Sequence, residues 1–172
     1  MAIITDSYFI EKISLPTDNT AISNKLSVSI DRAEKKYLID ILGYELYSLF
    51  VAELPTPTSQ RFTDILDGAE FTNSLGNLDK WDGLKDETTY VSMLAYFTFY
   101  EFETSNINAT GTGTTSNMYE NAEKVSPVEK QLQAYNLGIE QYHKLYDFLL
   151  QNQSDYPEWV YKNKNKLGIL GV

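Results

Sequence analysis

The stretch over residues 81–103 constrains the fold more than any other part of this 172-residue chain. After a turn at its start, apolar side chains fill most positions over residues 90–102, and three polar residues interrupt them: Ser92, Thr98 and Glu101. At about 100° per residue, these apolar side chains surround the helix. A soluble helix that is apolar all round must be covered on every side. The sequence therefore predicts a central helix over residues 86–104, wrapped by other helices of the chain or completed by neighbouring subunits.

Composition limits the class of protein. Hydrophobic residues make up 42% of the chain and aromatic residues 13%, which is typical of one globular domain at this length. The chain has no cysteine, which excludes disulfides, thiolate nucleophiles and cysteine-ligated metals. No run of about 18 apolar residues occurs, so no membrane span is predicted. Residues 1–16 contain Asp6 and Glu11 and no basic region, so we do not expect a signal peptide.

The net charge of −10 argues against wrapping of nucleic acid, because neutralising phosphates requires clustered lysine and arginine. The charge is also uneven. Residues 61–110 carry three basic and nine acidic side chains, whereas residues 155–172 carry three lysines and two acids. An acidic body with a mildly basic tail favours contact between copies or with an acidic partner, although a solvated face and a solubilising tail explain the same charges.

A helical pattern starts after Thr17, a residue type that favours helix N-caps, and ends at two prolines. Apolar residues recur every three or four positions, at Ile22, Leu26, Ile30, Ala33, Tyr37, Ile41 and Tyr44. The β-branched, serine-rich segment over residues 26–30 predicts a division into two helices, with Ser29 capping the second. This second helix is predicted over residues 30–52. Gly43 within it is expected to let another backbone approach closely.

Two further helices and a small insertion complete the bundle. Residues 58–67 predict a short helix that Gly68 ends, with three side chains inward: Phe62, Ile65 and Leu66. Residues 69–81 carry strand formers and turn residues, and predict a small β-hairpin or irregular loop in which Leu78 and Trp81 resume the apolar pattern. A last helix is predicted over residues 127–151, capped by Ser126 and with an apolar seam at Val128, Leu132, Tyr135, Ile139, Tyr142, Leu145 and Leu149.

The predicted fold is mainly α: a compact helical bundle of about four to five helices, with a small β-hairpin or irregular loop insertion near residues 69–81 and extended N- and C-terminal segments. One domain spans residues 1–157 and includes an extended arm over residues 1–17. Residues 158–172 form a C-terminal extension, which cannot bury its apolar residues alone and either folds back or inserts into a partner. The polar, glycine-rich segment over residues 105–117 is predicted to be a long loop.

No catalytic constellation is predicted. His143 is the only histidine, and no serine, aspartate or cysteine partner is suggested near it. The segment over residues 110–113 lacks the lysine and the strand-to-helix setting of a phosphate-binding loop. The spacing of Asp79, Asp82 and Asp86 resembles a calcium loop only loosely, because it lacks the alternation that surrounds the ion with oxygens. We therefore expect no enzyme activity, no cofactor and no metal.

Several segments, taken in order, resemble one family. They are AEKKYLIDILGYELY (33–47), RFTDILDGAEFTN (61–73), WDGLK (81–85), the aromatic helix, the threonine- and glycine-rich loop, and NAEKVSP (121–127) before the last helix. This series covers roughly residues 18–153. It resembles the head–tail connector proteins (adaptor or head-completion proteins) of tailed bacteriophages, including those of crAss-like phages.

The resemblance implies a structural virion protein, made in the bacterial host cytoplasm, that forms a ring of twelve copies beneath the portal vertex. Such a ring bridges the portal protein and the tail or a second neck ring and continues the DNA channel. Double-stranded DNA would then pass an acidic wall without specific binding, and no membrane is involved.

Loops and termini of this family grip the portal and the next ring. The matching candidates for partner interfaces are Asn108, Thr110 and Thr112 in the loop, Trp159, Tyr161, Lys162, Lys164, Lys166, Leu167, Ile169 and Leu170 in the extension, and Phe71 and Leu75 in the hairpin segment.

Two other classes of protein fit the same residues. One is a different phage neck or tail component, such as a tail-completion or terminator protein. The other is a cellular helical module that binds a partner peptide. In each case the sequence predicts that residues 86–104 hold the fold, while the extended parts around them make the contacts with partners.

Overall fold

The computed structural model describes residues 2–15, 20–110 and 127–160, without the side chains of residues 21, 106–110 and 127. In chain order the elements are two 3-10 turns (Asp6–Tyr8 and Glu11–Ile13), α1 (Thr20–Glu53), α2 (Gln60–Asp67), β1 (Ala69–Thr72), β2 (Leu78–Trp81), α3 (Met93–Thr110), α4 (Pro127–Gln151) and a last 3-10 turn (Gln153–Asp155). The prediction of a mainly helical bundle with a small antiparallel hairpin is confirmed. The predicted caps at Thr17 and Ser126 lie outside the described residues.

The central helix α3 is covered within a single chain. Its main contacts are with α1 and α4, and its buried side chains are Met93, Leu94, Ala95, Phe97, Phe99 and Phe102. The ring of Phe97 stacks on Tyr37 of α1, with 3.9 Å between centroids. On its other side this ring lies over Gly138 of α4, where a Cβ would come within 2.8 Å of a ring carbon. The prediction that other helices of the same chain wrap this helix is confirmed in the part of the chain that the structure describes.

The bounds of α3 differ from the predicted ones. The helix begins at Met93, where Ser92 Oγ accepts a hydrogen bond from the Leu94 N–H (3.2 Å) and donates one to the Leu84 carbonyl (2.7 Å). It then continues to Thr110, so the predicted loop is helical over residues 105–110. A helix that is already nucleated extends through polar residues at little cost, which composition alone does not reveal. The remainder of the predicted loop lies outside the described residues.

The N-terminal segment is part of the core. Its buried side chains are Ile3, Ile4, Tyr8, Phe9 and Ile13. Two 3-10 turns shorten the segment and place these side chains against α1, α3 and α4. Residues 2–15 contain no element longer than these turns, and the segment packs onto the core and does not extend away from it.

Helix α1 breaks at Gly43 and not at the serine-rich segment. Ser29 Oγ donates to the Lys25 carbonyl one turn earlier (3.1 Å), so its hydroxyl is paired within a continuous helix and does not cap a new one. Gly43 has φ 75° and ψ 160°, a conformation that is essentially restricted to glycine. A Cβ at this position would meet nothing within 4 Å, so the predicted role in a close backbone approach is wrong. The glycine instead redirects residues 44–53, which we call the end segment of α1.

The end of α2 and the start of the turn before α3 cross at very short range. Gly83 has φ +95°, and a Cβ there would lie 2.6 Å from the Asp67 carbonyl carbon and 2.8 Å from the Gly68 nitrogen. Three hydrogen bonds fix the crossing: Leu84 N–H and Trp81 Nε1 donate to the Ile65 carbonyl, and Lys85 N–H donates to the Leu66 carbonyl. The hairpin is thereby tied to the base of α3.

We predict that Gly83→Ala lowers the free energy of unfolding by about 3 kcal/mol or more, because it adds a backbone clash to a strained conformation. The control is Gly76→Ala, where φ is +79° but a Cβ meets nothing within 4 Å. Urea denaturation followed by circular dichroism measures both variants. Equal losses at the two positions would contradict the close crossing.

Candidate assembly surfaces

The hairpin has one buried face and one exposed face. Its register pairs Phe71 with Asp79 and Thr72 with Leu78. The ring of Phe71 points inward and meets Phe148 of α4 edge to face, with 5.7 Å between centroids. Because side chains alternate along a strand, Leu78 faces outward, where it is 72% exposed. The expectation that Leu78 belongs with the inward apolar residues is therefore wrong.

A tightly hydrogen-bonded turn presents Leu75 at the hairpin tip. Asn73 Oδ1 accepts hydrogen bonds from the backbone N–H groups of Leu75 (3.0 Å) and Asn77 (3.1 Å). The backbone adds two bonds, from the Asn73 N–H to the Asn77 carbonyl and from the Gly76 N–H to the Asn73 carbonyl, each 2.9 Å. Leu75 is 83% exposed. An apolar side chain is thus held toward solvent by an ordered turn, which lowers the entropy cost of binding a partner.

The end segment of α1 carries a second exposed apolar surface. Tyr44 is 75% exposed and Val51 is 40% exposed, whereas Phe50 points inward against Phe62 of α2. Glu53 closes the segment: its Oε2 accepts hydrogen bonds from the backbone N–H groups of Ser59 and Thr58, each at 3.1 Å. These bonds lower the pKa of the Glu53 carboxyl, and the bond from Ser59 has the larger effect. The carboxylate therefore fixes the angle between α1 and α2.

The start of the predicted C-terminal extension belongs to the core. Trp159 is buried, and its Nε1 donates to the Ile41 carbonyl (2.8 Å) just before the break in α1. Arg61 holds Glu158 with two hydrogen bonds of 2.8 Å and 3.2 Å. Tyr156 adds a bond from its hydroxyl to the Arg61 carbonyl (2.9 Å). The packed domain therefore extends past the predicted boundary at residue 157.

The interface candidates separate into four groups. Trp159 and Phe71 are buried within the chain, so the prediction that they are surface anchors is wrong. Leu75 is exposed as an interface residue must be, and its role stays a prediction. Asn108 and Thr110 lie on the last turn of α3. The rest lie outside the described residues: Thr112, Tyr161, Lys162, Lys164, Lys166, Leu167, Ile169 and Leu170.

Sequence reasoning missed the exposure of Tyr44, whereas the turn residues that include Asn73 are predicted from the sequence. Tyr44 was assigned to the buried stripe because a straight helix would place it there, and the break at Gly43 turns it outward. Asn73 has a recognisable signal, since asparagine followed by glycine three residues later favours a side-chain-stabilised turn.

The acidic residues with calcium-like spacing already have other partners. Asp82 pairs with Lys144 at 3.0 Å, and Asp86 accepts hydrogen bonds from the backbone N–H groups of Thr88 and Thr89. Within residues 2–15, 20–110 and 127–160, no group of three or more His, Asp or Glu side chains is arranged to hold a metal ion. His143 lies on α4 beside Tyr142, with 6.2 Å between the ring centroids.

A shallow apolar groove of about 420 Å³ lies between α1 and the end of α3. Its lining residues are Asn24, Lys25, Val28, Ser29, Arg32, Phe102 and Ser105. Val28, at 57% exposure, is its most prominent apolar side chain. In size and apolar character the groove suits a short apolar segment better than a polar metabolite.

One buried carboxylate could be mistaken for a catalytic group. Glu34 of α1 is only 8% exposed, and its Oε1 accepts hydrogen bonds from the backbone N–H groups of Ile3 (2.6 Å) and Ile4 (3.2 Å). Burial raises the pKa of its carboxyl to about 7. Because the carboxylate is occupied by the backbone of the N-terminal segment, we interpret Glu34 as the anchor of that segment.

No protein-family model, characterised protein or solved structure matches the chain. Among the described helices, none is both long and apolar enough to cross a membrane.

We predict that Glu34→Gln removes a pH dependence of stability. The folded state binds the Glu34 proton more tightly than the unfolded state. The contribution of Glu34 to the free energy of unfolding is therefore greatest below pH 4.5 and falls as the pH rises to about 7. The fall corresponds to about 3 kcal/mol, and Gln keeps the acceptor oxygen without the charge.

Urea denaturation between pH 4 and 8 measures this effect. As the pH rises, the free energy of unfolding of the wild type should fall relative to that of Glu34→Gln. Glu45→Gln, which removes an exposed carboxylate from the same helix, is the control. Parallel pH profiles for Glu34→Gln and the wild type would contradict the anchoring role.

Proposed function

We propose that this chain is a structural protein of the head–tail junction of a tailed bacteriophage. In this proposal, copies assemble as a ring beneath the portal, join the portal to the tail or to a second neck ring, and continue the DNA channel. The observation that carries the proposal is the exposed apolar hairpin tip, where Leu75 and Leu78 are 83% and 72% exposed on an ordered turn.

Exposure of this kind is informative because the rest of the hairpin is well packed. Phe71 and Trp81 are buried, and Trp81 Nε1 donates to the Ile65 carbonyl at 3.0 Å. Two leucines that stay exposed add little to the free energy of folding of a chain whose core is already buried. Two exposed leucines on one hydrogen-bonded turn and the strand beside it favour a surface that binds another protein.

Charge supports the same proposal. With a net charge of −10, the subunit repels DNA phosphates and does not retain them. A channel wall with these properties lets double-stranded DNA pass. The resemblance of the motif order to head–tail connector proteins supplies the specific partners, namely the portal protein and a tail or neck protein.

The proposal is tested with purified protein and rings of the portal protein from the same genome. Light scattering should show a defined multiple of the subunit mass added to each portal ring. We predict that Leu75→Asp abolishes this addition, because a charge at the tip opposes desolvation, while the circular dichroism spectrum stays that of the wild type. A wild-type chain that stays monomeric beside portal rings would overturn the proposal.

A second candidate, a helical module that binds a partner peptide, is favoured by the groove at Val28. Val28→Asp is therefore the matched control for Leu75→Asp, since both place a carboxylate at an exposed apolar position. A connector is expected to keep portal binding in Val28→Asp and to lose it in Leu75→Asp. The reverse result would favour the peptide-binding module.

A further inference from the structure

We propose that copies of this chain bind head to tail, with the hairpin tip of one copy docked on the exposed face of the α1 end segment of the next. The inference deepens the proposed ring assembly and rests on it. It names the two surfaces that meet: the tip, formed by residues 73–78, and the outer face of residues 44–53.

The receiving surface is a continuous apolar face. Tyr44, Ser48 and Val51 are spaced by four and three residues, so their side chains lie on one side of the helix. All three are exposed. Ser48 is small, and its Oγ is turned back to donate to the Tyr44 carbonyl at 2.8 Å. A small side chain therefore lies between a tyrosine and a valine, a spacing that suits the packing of a leucine side chain.

The two surfaces lie on different sides of the subunit. The hairpin packs on α4 through the contact of Phe71 with Phe148. The α1 side packs on α4 through Trp159, which meets Tyr146 with 5.5 Å between centroids and bonds to the Ile41 carbonyl. Positions 146 and 148 point about 200° apart around a helix. The hairpin and the break in α1 are therefore connected to α4 through different faces of that helix.

Charge favours contact between these two surfaces over other pairings. Copies with a net charge of −10 repel each other, so they associate most easily where charge is absent. The tip over residues 73–78 contains no charged residue, and neither does the α1 segment over residues 46–52. At the edges, Lys80 lies on the outward face of β2 beside the tip, and exposed Glu45 lies beside Tyr44. Lys80 is itself 3.9 Å from Asp82 and stands opposite Glu70 in the register, so the uncharged centre of each surface, rather than an ion pair across the contact, favours this pairing.

Two different surfaces on one subunit produce a head-to-tail contact, which closes into a ring when the rotation between successive copies allows it. A leucine at the centre of such a contact acts as an anchor within a larger surface. One contact of this size is smaller than the roughly 800 Å² per partner of a stable complex. We therefore expect weak pairing in solution and stronger association once the ring closes.

The absence of cysteine makes a direct test available. Leu75→Cys and Ser48→Cys place one thiol on each surface, at exposed positions whose backbone bonds do not need the original side chain. The two purified full-length variants are mixed and treated with a short bismaleimide, and mass spectrometry identifies the linked peptides. A mixture of Leu75→Cys with Asp31→Cys, an exposed position far along α1 from the break, is the control.

We expect the yield of the 75–48 linked peptide to exceed that of the 75–31 linked peptide by about tenfold. One apolar anchor residue stabilises a contact by about this factor. The double variant Leu75→Cys/Ser48→Cys should give a ladder of linked oligomers. A 75–48 yield no greater than the control, or linkage mainly between two copies of position 75, would overturn the proposed contact.

The same linkage is measured with portal rings present, which separates this inference from the proposed function. Portal-bound copies that lack the 75–48 linkage would overturn the contact and keep the connector function. A 75–48 linkage in a protein that never binds portal rings would keep the contact between copies and overturn the connector function.

Discussion

The packing of Phe97 between α1 and α4 is the interaction on which the rest of this structure depends. Its ring stacks on Tyr37 at 3.9 Å on one side and lies against Gly138 on the other. Tyr37 is itself fixed, since its hydroxyl donates to Glu101 Oε1 of α3 at 2.9 Å. A glycine at the point of closest approach lets α4 pack near the Phe97 ring, where a Cβ would come within 2.8 Å of a ring carbon. With α1 and α4 packed in this way, the buried side chains of α3 are covered without help from another subunit.

Because α3 is covered within the chain, the apolar side chains that remain exposed are not needed to complete the core. The N-terminal segment is anchored by Glu34 and the C-terminal residues to 159 by Arg61 and Ile41, so both ends of the described chain contribute to the core. The apolar side chains that remain exposed at the hairpin tip and on the end segment of α1 are therefore not gaps in an incomplete fold. They are surfaces in excess of what folding requires, and we connect them to assembly.

The sequence predicted those parts of the fold that local patterns determine. The helix α4, the short helix ended by Gly68 and the hairpin over residues 69–81 all have strong local signals, and each element is confirmed. The placement of Val128 in the apolar seam of α4 is wrong, since this side chain is 51% exposed on the first turn. Long-range contacts decided the rest. Trp159 is buried against α1, where it bonds to the carbonyl of Ile41, 118 residues away in the chain. Leu78 faces outward because the register of the hairpin places it there. Neither relation is visible in the spacing of apolar residues.

The glycine in α1 illustrates the same limit. A glycine inside a helical pattern is compatible with a straight helix, a close approach or a break, and only the backbone conformation distinguishes them. The break at Gly43 moved Tyr44 from the predicted core to the surface, where it is 75% exposed. The candidate site was therefore only partly predictable: Leu75 was identified from its hairpin segment, but the surface of the end segment was not.

The central claim is that the buried apolar side chains of α3 are covered within one chain and that assembly uses other surfaces. Hydrogen exchange of the α3 backbone amides in Leu75→Asp, measured over about a hundredfold range of dilution, tests this claim most directly. We predict that these amides are among the slowest to exchange and that their rates do not change with concentration, because no neighbouring subunit contributes to the cover. Rapid exchange of α3 in the dilute variant, slowed by raising the concentration, would contradict the claim.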